Sequence, residues 1–303
     1  MIDVQRLRIL RAVAEHGSFN RAATELLLTP SAVSQQVAAL ERAVGSPVVE
    51  RSTRGVVLTE SGRIMVEAAE AVAAELAHAQ ERIGRLTAER PTLTVATFGS
   101  GGRVLLPGAL ARFAGRHPEV ELHLVEREPE DSLPMVRQSA ADLAVAYHFD
   151  GPLPVRPGDR SGLQWTPLMD DPLSVVVPEG HRLAGQTSVG LAELAAEPWV
   201  LGCLKTEAYL RRYAATAGFE PRVRASTTDY FFARSLVAAG VGVSLVPSVA
   251  LAPELPEVRT VPIEPPRPAR YIGIATARRR RPQPYAEALT EALLEQAAAD
   301  GVG

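Results

Sequence analysis

Apolar residues recur along the start of the chain at the spacing of short amphipathic helices. Val4, Leu7, Leu10 and Val13-Ala14 step by threes and fours, and Gly17 ends that run. Ser18 suits the cap of a second helix, with Phe19, Ala22, Ala23 and Leu26 inward. Thr29 caps a third, Pro30 fits its first position and Gly45 stops it. Val33, Val37, Leu40 and Val44 form its apolar stripe, so Ser31, Ser34, Gln35 and Ala38 face the other way. Two β-prone runs around Gly55, within residues 47–59, predict a two-stranded wing with Arg51 and Arg54 at its tip. Three short helices with a tight turn and a wing predict a winged helix-turn-helix over residues 1–59.

From Glu60 to Glu89 there is no proline. Met65, Ala69, Val72, Leu76, Ala79, Ile83 and Leu86 follow a heptad seam. A helix of that length extends roughly 45 Å at about 1.5 Å per residue. The seam suits either the protein's own core or a second chain, and the flanking charges favour the second. Arg90-Pro91 breaks it, and the pattern then alternates strands with helices. Strands are expected at Leu93–Phe98, Glu121–Val125 and Leu143–Tyr147, with helices at Arg103–Arg116 and about 131–140 between them. A second series begins near Trp165. It has strands at Leu173–Val177, Trp199–Leu201, Val223–Ser226 and Val243–Val246, and helices at Leu191–Ala196, Glu207–Ala217 and Tyr230–Ala239. Strands near Val258–Ile263 and Tyr271–Thr276 precede a last helix, Tyr285–Ala298. Such alternation predicts mostly parallel sheets with helices on both faces. Two series joined by two crossings, about 163–168 and 262–276, make two α/β lobes. Residues 91–164 and 277–303 form the first and 165–276 the second.

At 303 residues, 46% hydrophobic and 22% charged, the chain is globular and long enough for two or three domains. Its formal charge of -3 conceals a local reversal, because residues 1–59 carry seven Arg against five acids. The single cysteine, Cys203, excludes an internal disulfide and a Cys-based zinc site. No signal peptide and no run of eighteen apolar residues occurs, which points to a cytoplasmic protein without a membrane partner. The six His (16, 78, 117, 123, 148, 181) show no metal-ligand spacing, and no G-x-S-x-G elbow occurs. Neither an enzyme nor a bound cofactor or metal is expected.

Small hydroxyls and amides near a helix start can reach base edges in the major groove, where Gln pairs bidentately with adenine. Taken alone, a Ser/Gln row or two surface Arg read as ordinary solvated surface. The ordered combination is more specific. GSF, the Ala pair of helix two, S-A-V-S, LE before Gly, ER before the wing and LT-x-x-G together resemble the DNA-binding domain of the LysR-type transcriptional regulators. The resemblance implies base reading by Pro30, Ser31, Ser34 and Gln35, and phosphate contacts from Ser18, Arg21, Gln36, Arg51 and Arg54. Val48-Val49 stand where a Leu-Phe pair is common, and Gln35 stands where Arg is frequent, which removes one cation from the groove. The resemblance also implies a linker helix that dimerises, a homodimer or homotetramer, and binding to an inverted repeat in duplex DNA.

FAGRHPEVEL, AADLAVA, LSVVVPEGHRLA and LVAAGVGVSLVPS extend the resemblance to a two-lobed regulatory domain like a periplasmic solute-binding protein. The expected whole is therefore α/β with a winged helix-turn-helix, a linker helix at 60–89 and an effector domain at 91–303. Ligands in such folds sit at the carboxyl ends of strands. Candidate effector contacts are Ser100 and Gly101 in a Gly-rich loop suited to an anion, His148 and Phe149 ending a strand, Gly202 and Cys203, and Thr228 and Tyr230. A glycine loop alone is weak evidence, and each aromatic equally suits a packed interface. Cys203 is open to a redox role, as in some relatives, or to simple pocket lining; the only Lys, Lys205, is the nearest cation in sequence. The run Arg278–Arg281 reads as a solvated turn sooner than as a nucleic-acid patch. The sequence thus favours a small-molecule-controlled transcriptional regulator. The alternatives are a redox-responsive regulator through Cys203 and a DNA-binding protein without an effector.

Overall fold

The computed structural model describes residues 2–52, 55–87, 90–149, 162–203, 206–278 and 283–299. The chain forms two compact units, one built on Met1–Glu89 and the other on Arg90–Val136, Ala141–Val155 and Gln164–Gly303.

In the first unit, Asp3 accepts from the Gln5 amide at 2.9 Å and opens α1 (Val4–His16), which Gly17 closes at φ 58. Then come α2 (Phe19–Glu25) and α3 (Pro30–Val44). The Thr29 hydroxyl accepts from the Ala32 amide at 3.2 Å, Pro30 stands in the first turn, and Gly45 ends α3 at φ 77. Leu7, Ile9, Leu10, Val13, Ala22, Ala23, Val33, Val37 and Leu40 make one core, with Phe19, Leu26 and Val44 half-buried at its margin. Val4, expected inward, is 50% exposed because it lies in the first turn, beyond the core's edge. Strands β1 (Val49–Ser52) and β2 (Gly55–Leu58) pair antiparallel, Val49 opposite Leu58. The Val56 amide donates to the Gly17 carbonyl at 3.0 Å, tying the wing to the end of α1.

The linker helix α4 (Glu60–Thr87) divides its seam. Met65 and Ala69 are buried in the same core and Val72 packs on it, whereas Leu76 and Ile83 are 53% and 65% exposed. The first half therefore uses the chain's own core. The second half presents apolar side chains with nothing over them among the described residues of this chain.

The second unit has three apolar cores and a seven-stranded sheet in the order β10 (Val258–Pro262), β6 (Leu163–Pro178), β11 (Ala269–Ala277), β5 (Leu143–His148), β3 (Thr92–Thr97) and β4 (Glu121–Glu126), with β9 (Ser244–Pro247) beside β6. Three strands are parallel: β4 (Glu121–Glu126), β3 (Thr92–Thr97) and β5 (Leu143–His148). Against β5 runs β11 (Ala269–Ala277), antiparallel, with Tyr271 opposite His148. Helices α5 (Gly99–Val104), α6 (Leu106–Arg116), α7 (Pro129–Arg137) and α10 (Pro284–Ala299) complete this lobe. Leu93, Val95, Phe98, Phe113, Leu143, Val145, Ile272, Ile274 and Leu289 belong to its core.

The second lobe holds β7 (Pro198–Leu201), α8 (Thr206–Thr216), β8 (Arg222–Ser226), α9 (Tyr230–Ala238), β9 (Ser244–Pro247) and β10 (Val258–Pro262). Its sheet has cores on both faces. Leu173, Val175, Trp199, Leu210 and Ile263 pack on one, and Val176, Val200, Ala233, Val237 and Val246 on the other.

Five local expectations change. Leu163–Pro178 is one sixteen-residue strand, β6, where a connection followed by a strand was read. Pro167, Asp170, Asp171 and Pro172 interrupt its apolar pattern, yet pairing across the sheet carries it through. Leu168, Met169, Ile272 and Ile274 all belong to the first core, so the first lobe change falls after 169 instead of near 165, while the second, after Ile263 and before Ile272, lies within the expected 262–276. The sheet is also less parallel than predicted, since β6 runs antiparallel to β9 and β10 and β11 antiparallel to β5. Pro107 splits the expected Arg103–Arg116 helix into α5 and α6, and Leu191–Leu194 is a single 3-10 turn.

Candidate functional site

On α3 the residues sort by phase. Val33, Val37 and Leu40 are buried, while Pro30, Ser31 and Gln35 are exposed and Ser34 is half-buried. Gln36, half-buried, accepts from Arg6 Nε at 3.3 Å, an interaction that fixes its amide beside α1. Arg21 is exposed on α2, and Ser18 occupies the cap position of α2 without a capping hydrogen bond. Arg51 lies in β1 opposite Val56, and Arg54 lies outside the described residues. Residues 279–282 and Lys205 also lie outside them, so most of the Arg278–Arg281 run has no structural description. The outward side of α3 is thus a strip of small polar groups on a capped, rigid helix. Such a strip can approach a base edge closely.

In the regulatory unit a cavity of about 390 Å³ is bounded by Phe98, Ser100, Glu126, Glu128, Tyr147, Cys203, Thr228, Tyr230 and Arg270, with Gly99, Gly102, Arg103, Asp229 and Phe231 completing its wall. These residues come from the β3–α5 junction, the ends of β4, β5 and β7, the start of α9, and β11. Ser100, Cys203, Thr228 and Tyr230 are the sequence candidates that line it.

The other four candidates stand elsewhere. Gly101 is buried, and a side chain there would press on the Phe98 ring. Gly202 lies against the Tyr230 ring, which any Cβ would overlap. Adjacent residues of a strand point to opposite faces, so His148 cannot follow Tyr147 inward. It stacks on Tyr271 and meets Trp165 edge-on, each at 5.6 Å. Phe149 stacks on Tyr209 at 4.3 Å. The Gly-rich stretch is itself the short helix α5 and not a loop, with Gly102 already donating to the Phe98 carbonyl at 2.8 Å.

The centre of the cavity wall is a residue not singled out from the sequence. Arg270, 1% exposed, donates from Nε to Asp171 Oδ2 at 2.5 Å and from Nη2 to Ser100 Oγ at 2.9 Å. Asp171 is fully buried, and its other oxygen accepts from Ser248 Oγ at 2.7 Å and the Val249 amide at 3.1 Å. The guanidinium lies 4.7 Å from the Tyr147 ring and 4.9 Å from Phe98. Burial alone pulls its pKa down, but Asp171, then Tyr230 and Tyr147, more than offset this and hold it above the usual value. It is a permanent cation.

Tyr147 donates to Glu128 Oε2 at 2.8 Å, and its oxygen lies 3.9 Å from Cys203 Sγ. Burial, with Cys203 and Glu128 adding to it, pushes the phenol far above its ordinary value, so it remains a donor. One signal in the sequence marks both buried charges. Asp171 is in phase with Leu173, Val175 and Val177, and Arg270 with Ile272 and Ile274, on the core side of their strands.

A helix-turn-helix with an open polar face, on a chain that also builds a two-lobed α/β domain around a cavity, defines the class of two-domain DNA-binding regulators. The family models match accordingly: the bacterial regulatory helix-turn-helix protein, lysR family, over residues 4–63, and the LysR substrate binding domain over residues 87–298. The chain belongs to the LysR family of DNA-binding transcriptional regulators.

It is 31% identical to a RuBisCO operon transcriptional regulator of Allochromatium vinosum, over 98% of this chain and 97% of that protein. It is 33% identical to a probable hydrogen peroxide-inducible genes activator of Mycobacterium avium, over 88% of this chain and 86% of the other. The solved structure of HinK, a LysR family regulator from Pseudomonas aeruginosa, has the same fold at TM-score 0.58 and 22% identity, covering 98% of this chain and 99% of that one. No helix among the described residues is long and apolar enough to cross a membrane.

Proposed function

We propose that the protein is a one-component regulator that binds an inverted repeat through α3 of two copies and is controlled by a small molecule held in the cavity around Ser100 and Arg270. The observation that carries this reading is the pairing, in one chain, of an exposed Ser31/Gln35 strip with a separate cavity built on a buried cation. Ser31, Ser34 and Gln35, with Pro30 at the helix start, read bases. Ser18, Arg21, Gln36, Arg51 and Arg54 seat the phosphates, Gln36 by exchanging its bond with Arg6. The exposed half of the α4 seam joins the two copies, so the working form is a homodimer or an assembly of two dimers. In the cavity an acidic group of the effector takes the Ser100 hydroxyl at the edge of Arg270. Thr228, Tyr230 and Cys203 enclose the rest.

The test has two arms. Footprinting and gel shift on the DNA flanking its own gene give a protected inverted repeat; Gln35→Ala loses specific binding while keeping its circular dichroism and melting temperature. Unchanged binding by that variant defeats the base-reading assignment. In the second arm a panel of metabolites raises the melting temperature of the full chain, and Ser100→Ala removes the rise. No rise with any compound defeats the sensory assignment.

A redox reading of the same cavity rests on Cys203 Sγ beside the Tyr147 hydroxyl and on the peroxide-inducible activator among the relatives. Peroxide treatment that alters DNA binding by the wild type but not by Cys203→Ser supports it, and equal behaviour of the two removes it.

A further inference from the structure

We infer that the effector is zwitterionic, an α-amino acid or a molecule carrying the same paired carboxylate and ammonium groups. The inference rests on the sensory reading above and concerns only what the cavity prefers.

The charges around the cavity are unequal. Two guanidinium groups (Arg103, Arg270) and three carboxylates (Glu126, Glu128, Asp229) line it. Arg270 is already matched by buried Asp171, so the cation nearest the centre brings little uncompensated positive charge. Asp229 spends one oxygen on the Phe231 amide at 2.8 Å as the cap of α9. Glu128 accepts from Tyr147. Glu126 has no hydrogen-bond or ion-pair partner for its carboxylate among the described residues, and its Oε1 lies 3.0 Å from where a Cβ on Gly99 would stand. It therefore stands beside the residue that precedes Ser100.

Even with Glu128 set aside, a simple anion seated at Ser100 and Arg270 faces the carboxylates of Glu126 and Asp229 against the one guanidinium of Arg103. A simple amine at Glu126 leaves the Ser100–Arg270 corner and Arg103 unused. Only a ligand of both signs meets the two ends.

The spacing is that of a small molecule. Arg270 lies over the Tyr147 ring at 4.7 Å, and Glu128 sits on the hydroxyl of the same ring, so one phenol spans the interval between the basic and acidic sides. The carboxylate of the ligand accepts from Ser100 and the Arg270 edge, and its ammonium donates to Glu126 and Glu128. Its side chain lies among Phe98, Tyr230 and Phe231.

The test uses the purified full chain and three matched series: the twenty L-amino acids, their N-acetyl derivatives, which keep only the negative charge, and their carboxamides, which keep only the positive. Thermal shift finds the binders, and calorimetry gives their affinities. The expected result is that at least one free amino acid binds, and that both of its derivatives bind about tenfold or more weaker, the loss of one charge-assisted contact. Glu126→Gln then weakens the free amino acid by a similar factor and leaves its N-acetyl form unchanged; a merely structural effect would weaken both. Equal binding of the N-acetyl form overturns the zwitterion assignment and leaves the sensory reading standing. If none of the three series binds, the assignment is overturned, and the wider metabolite panel with Ser100→Ala decides the sensory reading on its own.

Discussion

At the scale of single residues the buried pair Asp171–Arg270 carries the largest consequence. Removing one partner leaves an uncompensated charge in a dry site, which costs about 3–5 kcal/mol. Asp171→Ala is expected to lower unfolding stability by that order in urea titration, and Asp171→Leu with Arg270→Met to recover much of it. A loss of less than about 1 kcal/mol in the single variant would show the site to be wet. Tyr147 gives a pH prediction. Its folded pKa is raised, so below the ordinary value of 10.0 both folded and unfolded forms keep the proton and stability is unaffected. Above it the unfolded phenol ionises and the folded one does not, so stability falls as pH rises. Tyr147→Phe removes that dependence. The gap between variant and wild type should narrow between about pH 9 and about pH 11, measured by denaturant midpoints, and a constant gap would refute the burial argument. Both residues were visible in the sequence, but as letters without context. Arg270 and Asp171 lie 99 positions apart, and only pairing between β6 and β11 brings them together. Ser100, Cys203, Thr228 and Tyr230 were easier to place at the cavity, because each follows a strand or opens a helix where such folds bind ligands.

At the scale of elements, legibility followed amphipathicity. The helices α1 and α3 were readable because each has a cap, a stop and an apolar stripe within a few residues, and α2 because its apolar residues fall between them. The strand β6 was not, because Pro167, Asp170, Asp171 and Pro172 in its middle mimic a loop and its order comes from neighbours remote in sequence. His148 and Phe149 stand outside the cavity wall for other reasons: His148 takes the face of its strand opposite Tyr147, and Phe149 stacks on Tyr209. The linker helix makes its own prediction. Leu76 and Ile83 are exposed on α4 while Met65 and Ala69 are buried. Leu76→Glu with Ile83→Glu should therefore leave the helix-turn-helix melting unchanged and convert the purified protein to monomer in analytical ultracentrifugation. An unaltered sedimentation coefficient would place the dimer contact elsewhere.

At the scale of the whole molecule, the proposed control by an effector amounts to a coupling free energy between cavity and DNA. Couplings of this kind run to about 1–3 kcal/mol, or 5–150-fold in affinity, and they are reciprocal. Whatever factor the effector imposes on operator binding, operator DNA must impose on effector binding, which calorimetry with and without the duplex measures directly; unequal factors would rule out a simple two-site linkage. The route of that coupling inside the regulatory unit is constrained by β6. Leu168 and Met169 sit in one core and Leu173 in another, on a single strand that has β11 on one side and β10 and β9 along its second half. Along β6 such a neck resists swinging like a door, although the return crossing, residues 264–268 between β10 and β11, is not strand. It deforms as a torsion spring does, by winding a laddered ribbon a few degrees. The proposed sensor should accordingly answer its ligand with a small, stiff twist along this one strand and not with a wide opening of its two halves.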